Sequence, residues 1–156
     1  MTKTNALRLL DQAKIPYVER EYPVDDGRID ALSIAEKLGM PPEMCFKTLV
    51  TEAPDHRNFV FVISAGAELD LKKAARAAGT KSIDLIPLKK LLPLTGYIHG
   101  GCSPVGMKKL FPTFIDESAL LNETIGVSAG RVGLNVALAP DALASLIGAQ
   151  FADLEK

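Results

Sequence analysis

Two apolar runs rich in β-branched side chains lie close together in this chain, CFKTLV at 45–50 and NFVFVISA at 58–65. A polar turn around Pro54 and Asp55 separates them. Such side chains lose rotamer freedom in a helix and pack well on a pleated surface. Runs that are apolar on both faces need cover on both faces. They therefore predict a buried hairpin at the heart of a sheet, and the rest of the chain has to supply its cover.

The flanking segments read as that cover. TNALRLLDQAK spaces Ala6, Leu7, Leu10 and Ala13 as one helical face, with Thr4 or Asn5 as its N-cap and Pro16 as its stop. SIAEKLG predicts a second helix ended by Gly39, and LKKAARAAG a third closed by Gly79. PLKKLLP predicts a helical turn, and DALASLIGA a closing helix after Pro140 with Asp141 in its first turn. YVEREY, PTFID, TIGVSAG and GLNVALAP predict further strands. Several of these strands are consecutive hairpins. The expected fold is therefore mixed α/β (α+β-like), with one strongly curled, barrel-like β-sheet flanked by short helices. At 156 residues the expectation is a single domain over 1–156.

Composition narrows the function classes. The chain is 47% hydrophobic and 24% charged, as an ordinary globular protein is. Cys45 and Cys102 are far apart and form no CxxC pair, so a disulfide framework is not expected and a reducing cytosol is the simpler setting. Asp11 and Lys14 break up the apolar residues near the N-terminus, which argues against a signal peptide, and no stretch is long enough to span a membrane. A cytoplasmic location without membrane partners is the expectation. No HExxH or paired CxxC is present, so neither a metal site nor a cofactor is expected. Net charge is −1, but residues 72–109 hold eight basic residues against Asp84 alone. That stretch carries +7 and leaves −8 for the remainder. A one-sided basic segment is the electrostatic footprint of a phosphate-backbone binder, or else lysines spread over exposed faces.

GYIHGGCSPVGMKK, residues 96–109, crowds an imidazole, a thiol and a hydroxyl around two glycines. It is not the GxSxG elbow, because Pro104 follows Ser103 and blocks the sharp strand-to-helix turn. Cys102 with His99 as its base would need a local turn, since three residues apart on a strand they face opposite ways. Gly100 and Gly101 offer a different chemistry. Without Cβ atoms their N–H groups can approach an ester closely and hold a developing oxyanion, or they simply form a tight turn. Lys47 stands within the apolar CFKTLV run, where burial disfavours an ammonium unless an anion or polar ligand meets it. It can also snorkel to water from the strand's end.

CFKTLV, GAELDLKKAARAAG, GYIHGGCSPVGMKK and VSAGRVGLNV together, in this order, resemble the YbaK/EbsC family of aminoacyl-tRNA deacylases over nearly the whole chain. The pattern is most similar to the members that act on Cys-tRNA(Pro). The resemblance implies a hydrolase of mischarged tRNA acting in trans to prolyl-tRNA synthetase. It implies that Lys47 anchors the terminal adenosine or its phosphate, and that Gly100 and Gly101 hold the oxyanion. Tyr22, Thr48, Ser103, Pro104, Ser128 and Asn135 are then substrate-binding positions. The implied nucleophile is the substrate's own thiol, which leaves as a thiolactone, so Cys102 and Ser103 would only shape the turn.

Three positions depart from the family pattern. Asn135 stands where an acid is expected, Ile29 is nearest to an expected pocket aromatic, and His99 replaces an apolar residue. They bear on the choice of amino acid. The alternatives are a deacylase of Ala-tRNA(Pro) or another small-amino-acid tRNA using a positioned water, and a non-catalytic tRNA-binding module. On the editing reading Lys72, Lys73, Lys108 and Lys109 become candidate contacts to tRNA phosphates.

Overall fold

The structure is a computed structural model and describes residues 3–156. In chain order its elements are α1 (Asn5–Gln12), β1 (Tyr17–Glu21), α2 (Ala31–Lys37), β2 (Phe46–Glu52), β3 (Asn58–Ser64), α3 (Leu71–Ala78) and β4 (Asp84–Leu85). There follow α4 (Leu91–Thr95), β5 (Thr113–Asp116), β6 (Ile125–Arg131), β7 (Leu134–Leu138), α5 (Pro140–Ile147) and β8 (Gln150–Ala152). Short 3₁₀ turns occupy Leu88–Lys90 and Glu117–Leu121.

The two apolar runs form the expected antiparallel hairpin, with Phe46 paired to Ser64 and Glu52 to Asn58. Val60 to Ile63 are fully buried on both faces of β3. That hairpin lies in a five-stranded sheet of order β4-β2-β3-β5-β8, in which β5 and β8 join in parallel. A second, three-stranded antiparallel sheet has the order β1-β7-β6. The single barrel-like sheet expected from the sequence is therefore incorrect: the strands divide between two sheets, and neither closes on itself. The parallel return of β5 onto β3 spends the free side of the hairpin within an open sheet, so β6 and β7 pair elsewhere. The open edges are blunted in the usual ways. The strand β4 is two residues long, and β1 carries Glu19, Arg20 and Glu21.

Helices cover the sheets as their patterns dictate. Thr4 caps α1, accepting from Leu7 N–H and donating to the Ala129 carbonyl at 2.6 Å. Ala6, Leu7 and Leu10 then pack with Ile125, Val127 and Leu134 in the largest core cluster. Asp70 caps α3 through the Lys72 and Lys73 N–H groups, and Gly79 ends that helix in the left-handed region.

The C-terminal segment is held by Asp116, which is buried at the end of β5. Its carboxylate accepts from Leu154 N–H at 2.8 Å, Glu155 N–H at 3.2 Å and Ser118 N–H at 3.0 Å. Asp116→Ala strands those donors and is expected to lower stability by about 2–4 kcal/mol, read as a shift in urea midpoint at unchanged slope.

Candidate functional site

Where the two sheets meet, the start of β2 is stitched to β6. Cys45 bridges Gly126, and Gly126 N–H donates to the Met44 carbonyl at 2.8 Å. This contact lays Lys47 and Thr48 beside Ser128 and Asn135, which face each other in the β6–β7 register. A cavity of about 280 Å³ opens there. Tyr22, Lys47, Thr48, Gly100, Ser128 and Asn135, six positions singled out from the sequence, line it together. Ile29, Asp30, Ala31, Ile34, Cys45, Leu91, His99 and Cys102 complete much of the wall.

The polar groups of this cavity are underused by the protein itself. Thr48 Oγ1 and Asn135 Oδ1 are buried with no hydrogen-bond partner among the described residues. Unpaired buried oxygens cost free energy, and both belong to residues of this wall. Lys47 is half-buried, and its Nζ donates to the Ala65 carbonyl at 3.2 Å. Burial lowers its pKa, an effect opposed by the charges of Glu155 and Glu68. Glu155 is fixed by Ser64, whose N–H and Oγ both donate to it at 2.8 Å. Burial raises the Tyr22 hydroxyl above its ordinary value.

The loop 96–109 braces itself before it reaches the cavity. Tyr97 donates its hydroxyl to the Val105 carbonyl at 2.6 Å, and Ser103 Oγ accepts from Val105 N–H at 3.1 Å. Ser103 is thereby buried in the turn, away from the cavity, and Pro104 lines a separate hollow beside Leu9 and Leu146. Residues 98–101 form a tight turn, closed by Gly101 N–H donating to the Ile98 carbonyl at 2.9 Å. Gly101 N–H is thus already engaged, and Gly101 is not part of the cavity wall. Gly100 is, and its N–H has no partner among the described residues. Gly100 has φ +86°, a conformation that L side chains rarely adopt, and an added Cβ would push on Ile29, falling 2.6 Å from its Cδ1.

This is the local turn that a His99–Cys102 pairing requires, and it brings both residues to the same wall. Burial pushes the Cys102 thiol up to about 12 and the Cys45 thiol to about 11. Both are neutral thiols at physiological pH and therefore poor nucleophiles. Asp30, Ala31, Ile34 and Leu91 were not singled out from the sequence. Asp30 was the most legible of them, since its carboxylate caps α2 by accepting from Ser33 N–H at 3.1 Å and Ser33 Oγ at 2.7 Å.

The four lysines expected to meet tRNA differ in their surroundings. Lys72 borders a hollow next to the cavity, whereas Lys73 is tied to Asp153 and the Glu155 carbonyl. Lys108 lies along Gly96, and Lys109 sits over the Phe111 ring at 6.0 Å. Among the described residues no cluster of histidine, cysteine and acid could hold a metal, and no helix is long and apolar enough to cross a membrane.

Comparison with known proteins follows the same residues. The family model for the aminoacyl-tRNA editing domain matches residues 29–146, a span that holds every lining residue just named except Tyr22. A candidate Cys-tRNA(Pro)/Cys-tRNA(Cys) deacylase, EbsC of Enterococcus faecalis, is 47% identical over 152 residues, covering 97% of this chain and 93% of that protein. A crystal structure of a candidate trans-editing enzyme for prolyl tRNA synthetase superposes with a TM-score of 0.84 at 26% identity, covering 100% of this chain and 99% of that one. A hypothetical protein of known structure shares the fold, with a TM-score of 0.89 at 20% identity over 98% of this chain and 100% of that one.

Proposed function

The chain belongs to the aminoacyl-tRNA editing domain family, and from that premise we propose that it is a trans-acting deacylase of mischarged Cys-tRNA(Pro). The observation that carries this reading is the hollow of about 280 Å³ that gathers Thr48, Ser128 and Asn135 beside Lys47 and the Gly100 turn. A hollow this small suits one short amino-acid side chain and its ester. The aminoacylated tRNA is the substrate, and prolyl-tRNA synthetase, the source of the mischarged species, is the natural partner.

In the proposed reaction the enzyme supplies position and charge, and the substrate supplies the nucleophile. The cysteinyl thiol gives up its proton and its sulfur attacks the ester carbonyl. The free N–H of Gly100 faces the oxygen that gains charge, the part first expected of Gly100 and Gly101 together. The carbon–oxygen bond to the ribose then breaks, the ribose oxygen takes a proton, and cysteine leaves as a four-membered thiolactone. Intramolecular attack avoids the entropy cost of recruiting a second reactant. Selectivity then comes from chemistry, because pocket fit alone separates side chains by only about 1–3 kcal/mol per methylene.

The testing experiment is a deacylation time course on Cys-tRNA(Pro) with Ala-tRNA(Pro) alongside. Rapid loss of the cysteinyl ester with the alanyl ester spared is the expected result. Equal or reversed rates would reject thiol assistance and favour a water held by Asn135 and His99. Binding of either tRNA without any hydrolysis would make the chain a binding module. Cys102→Ala is expected to leave the cysteinyl rate within about twofold, since a thiol held neutral takes no part. A loss of 100-fold or more would make Cys102 the nucleophile.

A further inference from the structure

The segment between β1 and α2 reaches the cavity without a buried residue of its own. Residues 23–28 are all exposed. Among the described residues their one backbone–backbone hydrogen bond is internal, from Gly27 N–H to the Val24 carbonyl at 3.0 Å. At the far end of this loop Ile29 enters the cavity wall and fills the space in front of Gly100. The anchor for the loop comes from Lys37, at the end of α2. Its Nζ donates to the Pro23 carbonyl at 2.7 Å, to Asp26 Oδ1 at 2.7 Å and to the Arg28 carbonyl at 2.9 Å. An ammonium has three N–H donors, so all three are committed to this one loop. Asp26 also accepts from Arg28 N–H at 3.0 Å, which folds the loop back on itself.

A lysine in the last turn of a helix is favoured by the helix dipole, but that effect alone leaves the ammonium in water. The Lys37 side chain is instead only 13% exposed, and a charge so covered has to be paired. We propose that Lys37 is a positioning residue of the editing reaction, whose ammonium clasps the 23–28 loop and thereby sets Ile29 as the wall facing the Gly100 turn. The inference rests on the deacylase reading, and Lys37 itself does not line the cavity. The Arg28 carbonyl belongs to the peptide that joins Arg28 to Ile29, so the clasp ends immediately before the wall residue. With the clasp removed, Ile29 hangs on a loop that no buried side chain holds. A wall that fluctuates binds the aminoacyl group less tightly in ground state and transition state alike. Loss of such uniform binding raises KM and spares kcat.

The test is steady-state deacylation of Cys-tRNA(Pro), with amide hydrogen exchange followed on the same proteins. Lys37→Met keeps the apolar stem and removes the ammonium. It is expected to raise KM about tenfold with kcat within about threefold, and to speed exchange across 24–29 at least tenfold. Asp26→Ala removes one of the three acceptors from an exposed position, and about a threefold rise in KM is expected. It decides the question alone if Lys37→Met does not fold. A purely structural lysine would lower kcat with the folded fraction and leave KM unchanged. If the natural chain deacylates and neither variant moves KM, the positioning role is overturned, whatever the exchange rates, and the deacylase reading stands. If the natural chain leaves the charged tRNA intact, both fall together.

Discussion

Lys47→Met is expected to lower kcat/KM for Cys-tRNA(Pro) by about 10²–10³-fold, the range seen when one preorganised polar group is removed from a reacting centre. The thermal midpoint is expected to be no lower than that of the natural chain. Methionine keeps the apolar stem along β2 but removes the ammonium. The sign of the stability effect follows from the depressed pKa. Burial makes the folded protein favour the neutral amine, so at any pH below the folded value the charged form costs stability. That cost fades only as pH rises through the window between the lowered value and the ordinary 10.5. Glu155 and Glu68 reduce it without removing it. A group retained against the stability of its own strand is explained by what it does for a ligand. Normal deacylation by Lys47→Met would remove Lys47 from the mechanism, whereas a collapse of the midpoint would make it a structural cation. With the natural chain, activity is expected to decline on the alkaline side at a pH below 10.5, as the ammonium is lost.

Gly101→Ala is expected to reduce activity by at least 100-fold and to lower the urea midpoint as well. A Cβ there would fall 2.9 Å from Val132 N and 3.2 Å from the Arg131 carbonyl carbon. Both are backbone atoms of the β6–β7 turn, which cannot rotate aside as a side-chain tip can. Either the glycine loop lifts away or the β6–β7 hairpin shifts. The first displaces Gly100 and His99 from the cavity, and the second displaces Ser128 and Asn135. Overpacking of this kind typically costs about 1–3 kcal/mol. Circular dichroism under urea with parallel kinetics would separate the effects. A variant that is less stable yet fully active in its folded fraction would show that the loop's placement is unimportant to the reaction.

Local chemistry made much of the architecture legible. The β-branched runs give β2 and β3, the Leu7–Leu10 spacing gives α1, and Gly79 and Gly148 end α3 and α5 in left-handed conformations. β8 and β4 went unread because strands of three and two residues carry no period to detect. The glycine pair at 100–101 is legible as a tight turn, and residues 98–101 form one with Gly100 at φ +86°. Ser103 and Pro104 look like site residues in the linear motif, yet Ser103 caps the 103–105 turn and Pro104 lines a separate hollow.

Local sequence was enough for the longer elements, the central hairpin, the lysine on β2 and the resemblance that pointed to tRNA editing. Which polar groups share one cavity was decided only by tertiary structure. Ser128 and Asn135 are paired by a local hairpin register, but their approach to Lys47 and Thr48 depends on the bridge between Cys45 and Gly126, which joins two separate sheets. No periodicity encodes that contact. It exists because the apolar face of the three-stranded sheet packs on one of the two buried faces of the five-stranded sheet, and the seam between them leaves a hollow lined by Thr48 and Asn135.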